Sequence, residues 1–256
     1  NALGTLNVLE AIKILGLNSK IKFYQASTSE LFGNSSKNIQ SEKTPFKPQS
    51  PYATSKLYAY WITKNYRDSY GIFAVNGILF NHESPKRGET FVTRKITIGL
   101  SKIALGIEKT IYLGNIYALR DWGHAKDYAE MQWKILQQKK PEDYVIATGK
   151  QYSVKFFIEL CCKILKIKIK WSGKGIKEAA TVKGFDKKKY PRLKIGQKII
   201  KIDKSYFRPN EVNYLKGDST KAKKKLGWKP KININQLAIE MINHDYQFAK
   251  SLLKKK

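Results

Sequence analysis

The chain has 256 residues, 42% of them apolar, enough for the core of one large or two modest domains, which excludes a disordered polypeptide. No run approaches the ~18 to 20 apolar residues of a membrane span, the start carries no leader pattern, and Cys161 and Cys162 sit adjacent in an apolar stretch that suits buried thiols. The net charge of +29 invites a nucleic-acid partner, yet only six of the 49 basic residues are Arg and Lys is scattered without a stripe, so the composition describes a solvated Lys surface.

In chain order, Asn1 to Leu15 reads as a helix, with Leu3, Leu6, Val8, Leu9, Ile12 and Leu15 as its apolar positions. Lys22 to Ala26 reads as a short strand, with Ser27-Thr28-Ser29-Glu30 at its C-terminal end. A loop from Asn34 to Pro51, punctuated by Pro45, Pro48 and Pro51, leads to a helix from about Tyr52 to Tyr70. Ile72 to Phe80, bounded by Gly71 and Asn81, has the continuous apolar character of a buried parallel strand. Further helices are expected over Phe91 to Gly106, Asp127 to Gln138 and Ser153 to Leu165, with strands at Thr110 to Leu113, Tyr144 to Thr148 and Ile167 to Trp171. A long Lys-rich connection then runs to Ile202, and a short helix opening at Ser219 precedes a final one over Asn235 to Leu253.

Alternation of helix and strand predicts an α/β fold, a Rossmann-like doubly wound parallel sheet, with a smaller mixed α/β substrate-binding domain after it. The expected division is residues 1–150 and 151–256, with residues near 81–113 contributing to the substrate site. No Met begins the chain, and no start signal precedes its first helix. The expectation is a fragment whose first sheet strands lie upstream of Asn1.

Two stretches carry chemistry. Tyr-x-x-x-Lys puts a phenol and an ammonium on one helical face, one turn apart, and the cation lowers the cost of forming the phenolate. The pattern occurs four times, at Tyr52/Lys56, Tyr60/Lys64, Tyr190/Lys194 and Tyr246/Lys250. Only the first follows a Ser-Pro helix start about two dozen residues after Ser-Thr-Ser-Glu. Taken singly, Thr28 is also a good helix cap and Glu30 a good first-turn carboxylate.

Thr28-x-Glu30 ahead of Tyr52-x-x-x-Lys56 resembles the extended short-chain dehydrogenase/reductase family, and within it the GDP-mannose 4,6-dehydratases. That resemblance implies an NADP-dependent lyase with GDP-mannose as substrate and GDP-4-dehydro-6-deoxy-mannose as product. It makes Thr28, Glu30, Tyr52 and Lys56 catalytic: Tyr52 and Lys56 serve C4 oxidation, and Glu30 the loss of water across C5 and C6. By the same resemblance, Tyr52, Lys56, His82 and Arg87 contact NADP, while Asn81, Lys95, Arg120, Arg208 and Glu211 contact the nucleotide sugar. A homo-oligomer, dimer or tetramer, is implied for the full-length protein in the cytoplasm, with no metal and no membrane partner.

The family's glycine-rich phosphate turn is missing from these residues, where Gly4 stands alone in a helix. The fragment by itself is therefore expected to bind NADP poorly and to be inactive. Two alternatives stay open: another NAD(P)-dependent sugar-nucleotide dehydratase or epimerase, and a basic non-catalytic nucleic-acid or polyanion binder.

Overall fold

A computed structural model describes residues 1–34, 39–207 and 210–254. The chain divides into two compact units. The first comprises Asn1–His82, Arg120–Gln151 and Asn210–Ile232; the second comprises Glu83–Leu119, Tyr152–Pro209 and Asn233–Lys256. These units interleave along the chain, whereas the expected division was one cut at residue 150. The reason lies partly in the segment 210–232, whose Val212, Leu215, Ala222 and Trp228 are buried in the first unit's core.

The first unit is built on three parallel strands, β1 (Lys22–Thr28), β2 (Phe73–Leu79) and β4 (Tyr144–Ile146), in the order β1-β2-β4. Thr28 pairs with Leu79, and Leu79 with Ile146, so the three strands end level with one another. Alternation along β2 and β4 divides the core between two faces. Ile78, Phe80, Val145 and Ala147 pack with Leu31, Phe32 and Tyr60, whereas Val75, Leu79, Tyr144 and Ile146 pack with Tyr128, Met131 and Trp228. The helices of this unit are α1 (Ala2–Ile14), α2 (Pro51–Tyr70), α4 (Ala125–Leu136) and α6 (Thr220–Leu226).

Local chemistry sets the ends of α2. The Ser50 hydroxyl accepts from the Ala53 amide at 3.1 Å and Pro51 occupies the first turn, where its missing N–H costs nothing. Gly71 closes the helix with a φ of 66°, a conformation glycine adopts without a Cβ clash. The Arg67 guanidinium in the last turn binds both oxygens of Asp143, at 2.8 and 3.1 Å. Asp143 also accepts from the Asn76 amide at 2.7 Å, which ties α2 to β2. A glycine is required at Gly77 for a different reason: a Cβ there would lie 1.8 Å from the Tyr24 hydroxyl.

The second unit holds a four-stranded mixed sheet of β3 (Ile111–Leu113), β5 (Lys168–Ser172), β6 (Ala179–Gly184) and β7 (Lys198–Ile202), ordered β3-β7-β6-β5. Only β3 and β7 run parallel; the other two pairings are antiparallel. The strands β6 and β7 replace the Lys-rich connection expected from the sequence. Their lysines disguised them: Ala179, Ala180, Val182, Ile199 and Ile200 are buried, while Lys183 and Lys198 face solvent.

Three helices complete this unit, α3 (Val92–Ala104), α5 (Val154–Ile164) and α7 (Ile234–Lys254), each packed on the other two. Between α3 and α7 lies a buried ion pair, Arg94 with Asp245 at 2.9 Å. The Thr97 hydroxyl donates to the same carboxylate at 2.6 Å. Cys161 and Cys162 are buried free thiols on α5, as their apolar setting indicated.

Candidate active site

The parallel strands of the first unit deliver their C-terminal ends to one edge, where open α/β sheets bind ligands. Thr28 is itself the last residue of β1, two residues further than the sequence suggested, and caps the single-turn helix Ser29–Leu31. Its hydroxyl accepts from the Glu30 amide at 3.2 Å. The capping role open to Thr28 is therefore real, and it also brings Glu30 into the first turn beside the strand end.

α2 packs on both β1 and this short helix. Its N-terminal turns present Tyr52, 48% exposed, and Lys56, half-buried, with the ammonium 6.0 Å from the phenol ring centre. The Lys56 ammonium donates to the Ala26 carbonyl at 2.9 Å, and burial draws its pKa down. The helix start at Ser50-Pro51 thus sets which face of α2 carries the pair.

Burial separates this Tyr-x-x-x-Lys pair from two of its three copies. Tyr60 is a core residue whose hydroxyl donates to Asp143 at 3.4 Å. Tyr190 is fully buried and donates to the Leu165 carbonyl at 3.0 Å. Tyr246 is half-buried and makes an edge contact with the Tyr190 ring.

At the end of β2, the His82 ring stacks on Tyr128 with centroids 5.1 Å apart, and its Nδ1 lies 2.9 Å from the Phe80 carbonyl. The adjacent Asn81 has a buried side-chain oxygen with no hydrogen-bond partner among the described residues, as does the Ser27 hydroxyl near the end of β1. Arg120 and Glu211, 91 positions apart, meet at 3.1 Å. The carbonyl of Glu211 is also held by the Asn34 side chain at 3.0 Å.

In the second unit, Arg87 lies 3.3 Å from Glu83 with its guanidinium 3.7 Å from the Phe91 ring centre. Burial pushes the Glu83 carboxyl up to about 7, with Arg87 and the Thr93 hydroxyl pulling the other way. The Lys95 ammonium sits 3.5 Å from the Tyr206 ring centre. Arg208, the remaining expected substrate contact, lies outside the described residues. Among the described residues no group of three or more His, Cys, Asp or Glu is placed to hold a metal ion, and no helix is long and apolar enough to cross a membrane.

One residue of this region was not legible as a candidate. Asp121 is fully buried and accepts four hydrogen bonds, from the Thr148 amide and hydroxyl at 2.9 and 2.6 Å, the Gly149 amide at 2.9 Å and the Gly217 amide at 3.3 Å. Burial raises its pKa to about 6 against the pull of those donors. The available signal was an acid set between Arg120 and the apolar Trp122.

A parallel sheet whose first strand ends at Thr28, with Glu30 in the turn that follows, packed by a helix whose first turns carry Tyr52 and Lys56, defines a Rossmann-like protein of the short-chain dehydrogenase/reductase class. Solved structures agree on the fold. A TM-score of 0.75 relates the chain to RMD from Pseudomonas aeruginosa complexed with NADPH, at 22% identity over 96% of this chain and 73% of that one. The same score relates it to dTDP-glucose 4,6-dehydratase from Bacillus anthracis in complex with NAD, at 21% identity over 99% and 70%.

Within that class the chain belongs to the GDP-mannose 4,6-dehydratase family, whose family model matches residues 1–241. It is 58% identical to the GDP-mannose 4,6-dehydratase of Vibrio cholerae serotype O1 over 100% of this chain and 69% of that protein. Against the human GDP-mannose 4,6 dehydratase the identity is 48%, over 98% of this chain and 65% of that protein.

Proposed function

We propose that this chain carries the acid/base machinery of an NADP-dependent lyase that converts GDP-mannose to GDP-4-dehydro-6-deoxy-mannose. The carrying observation is the Thr28–Glu30 turn at the end of β1, on which α2, the helix that carries Tyr52 and Lys56, packs. Oxidation at C4 makes the neighbouring C5 proton acidic, and elimination then needs a base for that proton and an acid for the departing C6 hydroxyl.

Tyr52 takes the proton of the 4-hydroxyl, and the Lys56 charge favours the phenolate that this requires. Thr28 hydrogen-bonds the same oxygen. Glu30 removes the C5 proton and returns it to the C6 hydroxyl as water leaves. A bound NADP supplies the hydride acceptor and, later, the hydride donor for C6.

The residues present fit the nicotinamide end of such a cofactor. The exposed Tyr52 phenol stands beside the anchored Lys56, and the buried Ser27 hydroxyl near the end of β1 lacks a partner among the described residues. We assign Tyr52, Lys56, His82 and Arg87 to NADP, and Asn81, Lys95, Arg120, Arg208 and Glu211 to the nucleotide sugar. Glu211 suits guanine, whose adjacent N–H donors match a carboxylate, and the Arg residues suit a pyrophosphate through paired charge-assisted bonds.

The test is product analysis. The full-length protein incubated with NADP and GDP-mannose is expected to release a 4-keto-6-deoxy nucleotide sugar. A C4 epimer, or an oxidised sugar retaining its 6-hydroxyl, would overturn the assignment in favour of another sugar-nucleotide enzyme. Salt-sensitive RNA binding that survives Tyr52→Phe and exceeds nucleotide-sugar affinity would favour the polyanion binder.

A further inference from the structure

Arg120 and Asp121 are consecutive residues of opposite charge, and both grip one stretch of chain. The Arg120 guanidinium binds the Glu211 carboxylate at 3.1 Å, while the Asp121 carboxylate accepts from the Gly217 amide at 3.3 Å, six residues further along. Residues 210–217 thus form a strap held at both ends by neighbouring side chains. Gly217 has no room to shift inward, since a Cβ there would lie 2.2 Å from the Ala147 Cβ and 2.8 Å from the Phe80 ring.

The other donors to Asp121 lie close to the sheet. Thr148 and Gly149 follow β4 after a single residue, Ala147, so this carboxylate references the strap's position to the parallel sheet. All four hydrogens directed at Asp121 come from donors, which demands an acceptor at both oxygens. Gln40 holds the same strap independently: the Lys216 amide donates to its side-chain oxygen at 2.8 Å and the Asp218 amide to its carbonyl at 2.7 Å. Removing the Asp121 charge therefore leaves the strap attached and shifts it.

Resting on the functional reading above, we propose that Asp121 is a positioning residue for nucleotide-sugar recognition: it sets the register of the strap so that Glu211 and Arg120 meet the substrate's nucleotide in the correct geometry. It touches neither substrate nor cofactor. Its effect should pass through Glu211.

The experiment is a double-mutant cycle in the full-length protein, read as KM and kcat for GDP-mannose and as binding of GDP alone. Asp121→Asn keeps the side-chain shape and turns one acceptor oxygen into a donor. Expected is a KM rise of about tenfold, the equivalent of one charge-assisted hydrogen bond, with kcat changed by less than about threefold. In a Glu211→Ala background the same substitution should raise KM by less than about twofold, because coupled residues do not act additively.

Thr148→Val, which removes a donor from the other carboxylate oxygen, should lower the melting temperature and leave KM unchanged. Equal effects of Asp121→Asn in both backgrounds would overturn the proposal, as would a fall in kcat at unchanged KM. Should Asp121→Asn yield no folded protein, Gly217→Ala displaces the strap while sparing the Thr148 and Gly149 bonds. It must then show the selective KM rise, and an unchanged KM overturns the idea. Failure of the unsubstituted protein to turn over GDP-mannose would sink the functional reading instead.

Discussion

The Lys56 ammonium donates a 2.9 Å hydrogen bond to the carbonyl of Ala26, two residues before Thr28 on β1. This bond joins the second turn of α2 to the strand that ends in the candidate catalytic turn, so the ammonium is held in place before any ligand arrives. Its half-buried position draws down its pKa, and a desolvated cation acts on a neighbouring phenol more strongly than one in bulk water.

Tyr52→Phe removes only a hydroxyl from a side chain that is nearly half exposed, so stability should not change. Turnover should fall by about 10²- to 10⁴-fold, the usual loss when a general base is deleted. Lys56→Met should fall within the same range and abolish the Ala26 contact. Steady-state kinetics beside a thermal melt decide this, and a Tyr52→Phe enzyme with ordinary turnover would remove Tyr52 from the mechanism.

Glu30→Gln separates elimination from redox chemistry. The variant should still oxidise C4, so a single turnover should accumulate reduced nicotinamide and a 4-keto sugar that keeps its 6-hydroxyl. Release of the 6-deoxy product at an undiminished rate would show that another group carries the C5 proton.

The buried pair of Arg94 and Asp245 fastens α3 to α7. Asp245→Ala strands a guanidinium with 8% of its side chain exposed, and loss of one partner from such a pair typically costs ~3 to 5 kcal/mol. Urea denaturation should show a midpoint lowered accordingly. A loss below about 1 kcal/mol would mean that the arginine finds other partners, such as the Arg87 carbonyl it already contacts at 2.9 Å.

Glu83 gives stability a definite pH dependence. Its carboxyl rises from 4.5 to about 7 on folding, so the folded chain holds the proton more tightly than the unfolded one. The stabilisation is complete below about 4.5 and is lost as pH climbs towards 7, an effect on the order of 3 kcal/mol. Asp121 acts with the same sign, but its contribution ends near 6, so of these two carboxyls Glu83 is the one that acts from 6 to 7. Glu83→Gln should flatten the denaturation midpoint over that interval, and an unchanged slope in the variant would assign the effect elsewhere.

Much of the local structure was legible because it depends on neighbours in sequence. Ser50, Pro51 and Gly71 bound α2 through short-range geometry, and the apolar run at β2 is long enough to mark a buried strand. Thr28, Glu30, Tyr52 and Lys56 could be chosen from the order of two motifs, although Tyr-x-x-x-Lys occurs four times. β6 and β7 were not legible, since their exposed lysines break the apolar run and only packing reveals which positions are buried.

The sequence by itself determined the class of fold, because capping and periodicity act over a few residues, and the order of its two motifs, through the family resemblance they carry, singled out the four side chains proposed for the acid/base chemistry. Only the tertiary structure decided the rest. It showed that Tyr60 and Tyr190 are core residues, that Arg120 meets Glu211 across 91 positions, and that Asp121 ties the strap to the sheet. Burial and hydrogen bonding between distant segments are properties of the packed chain, and no local pattern encodes them.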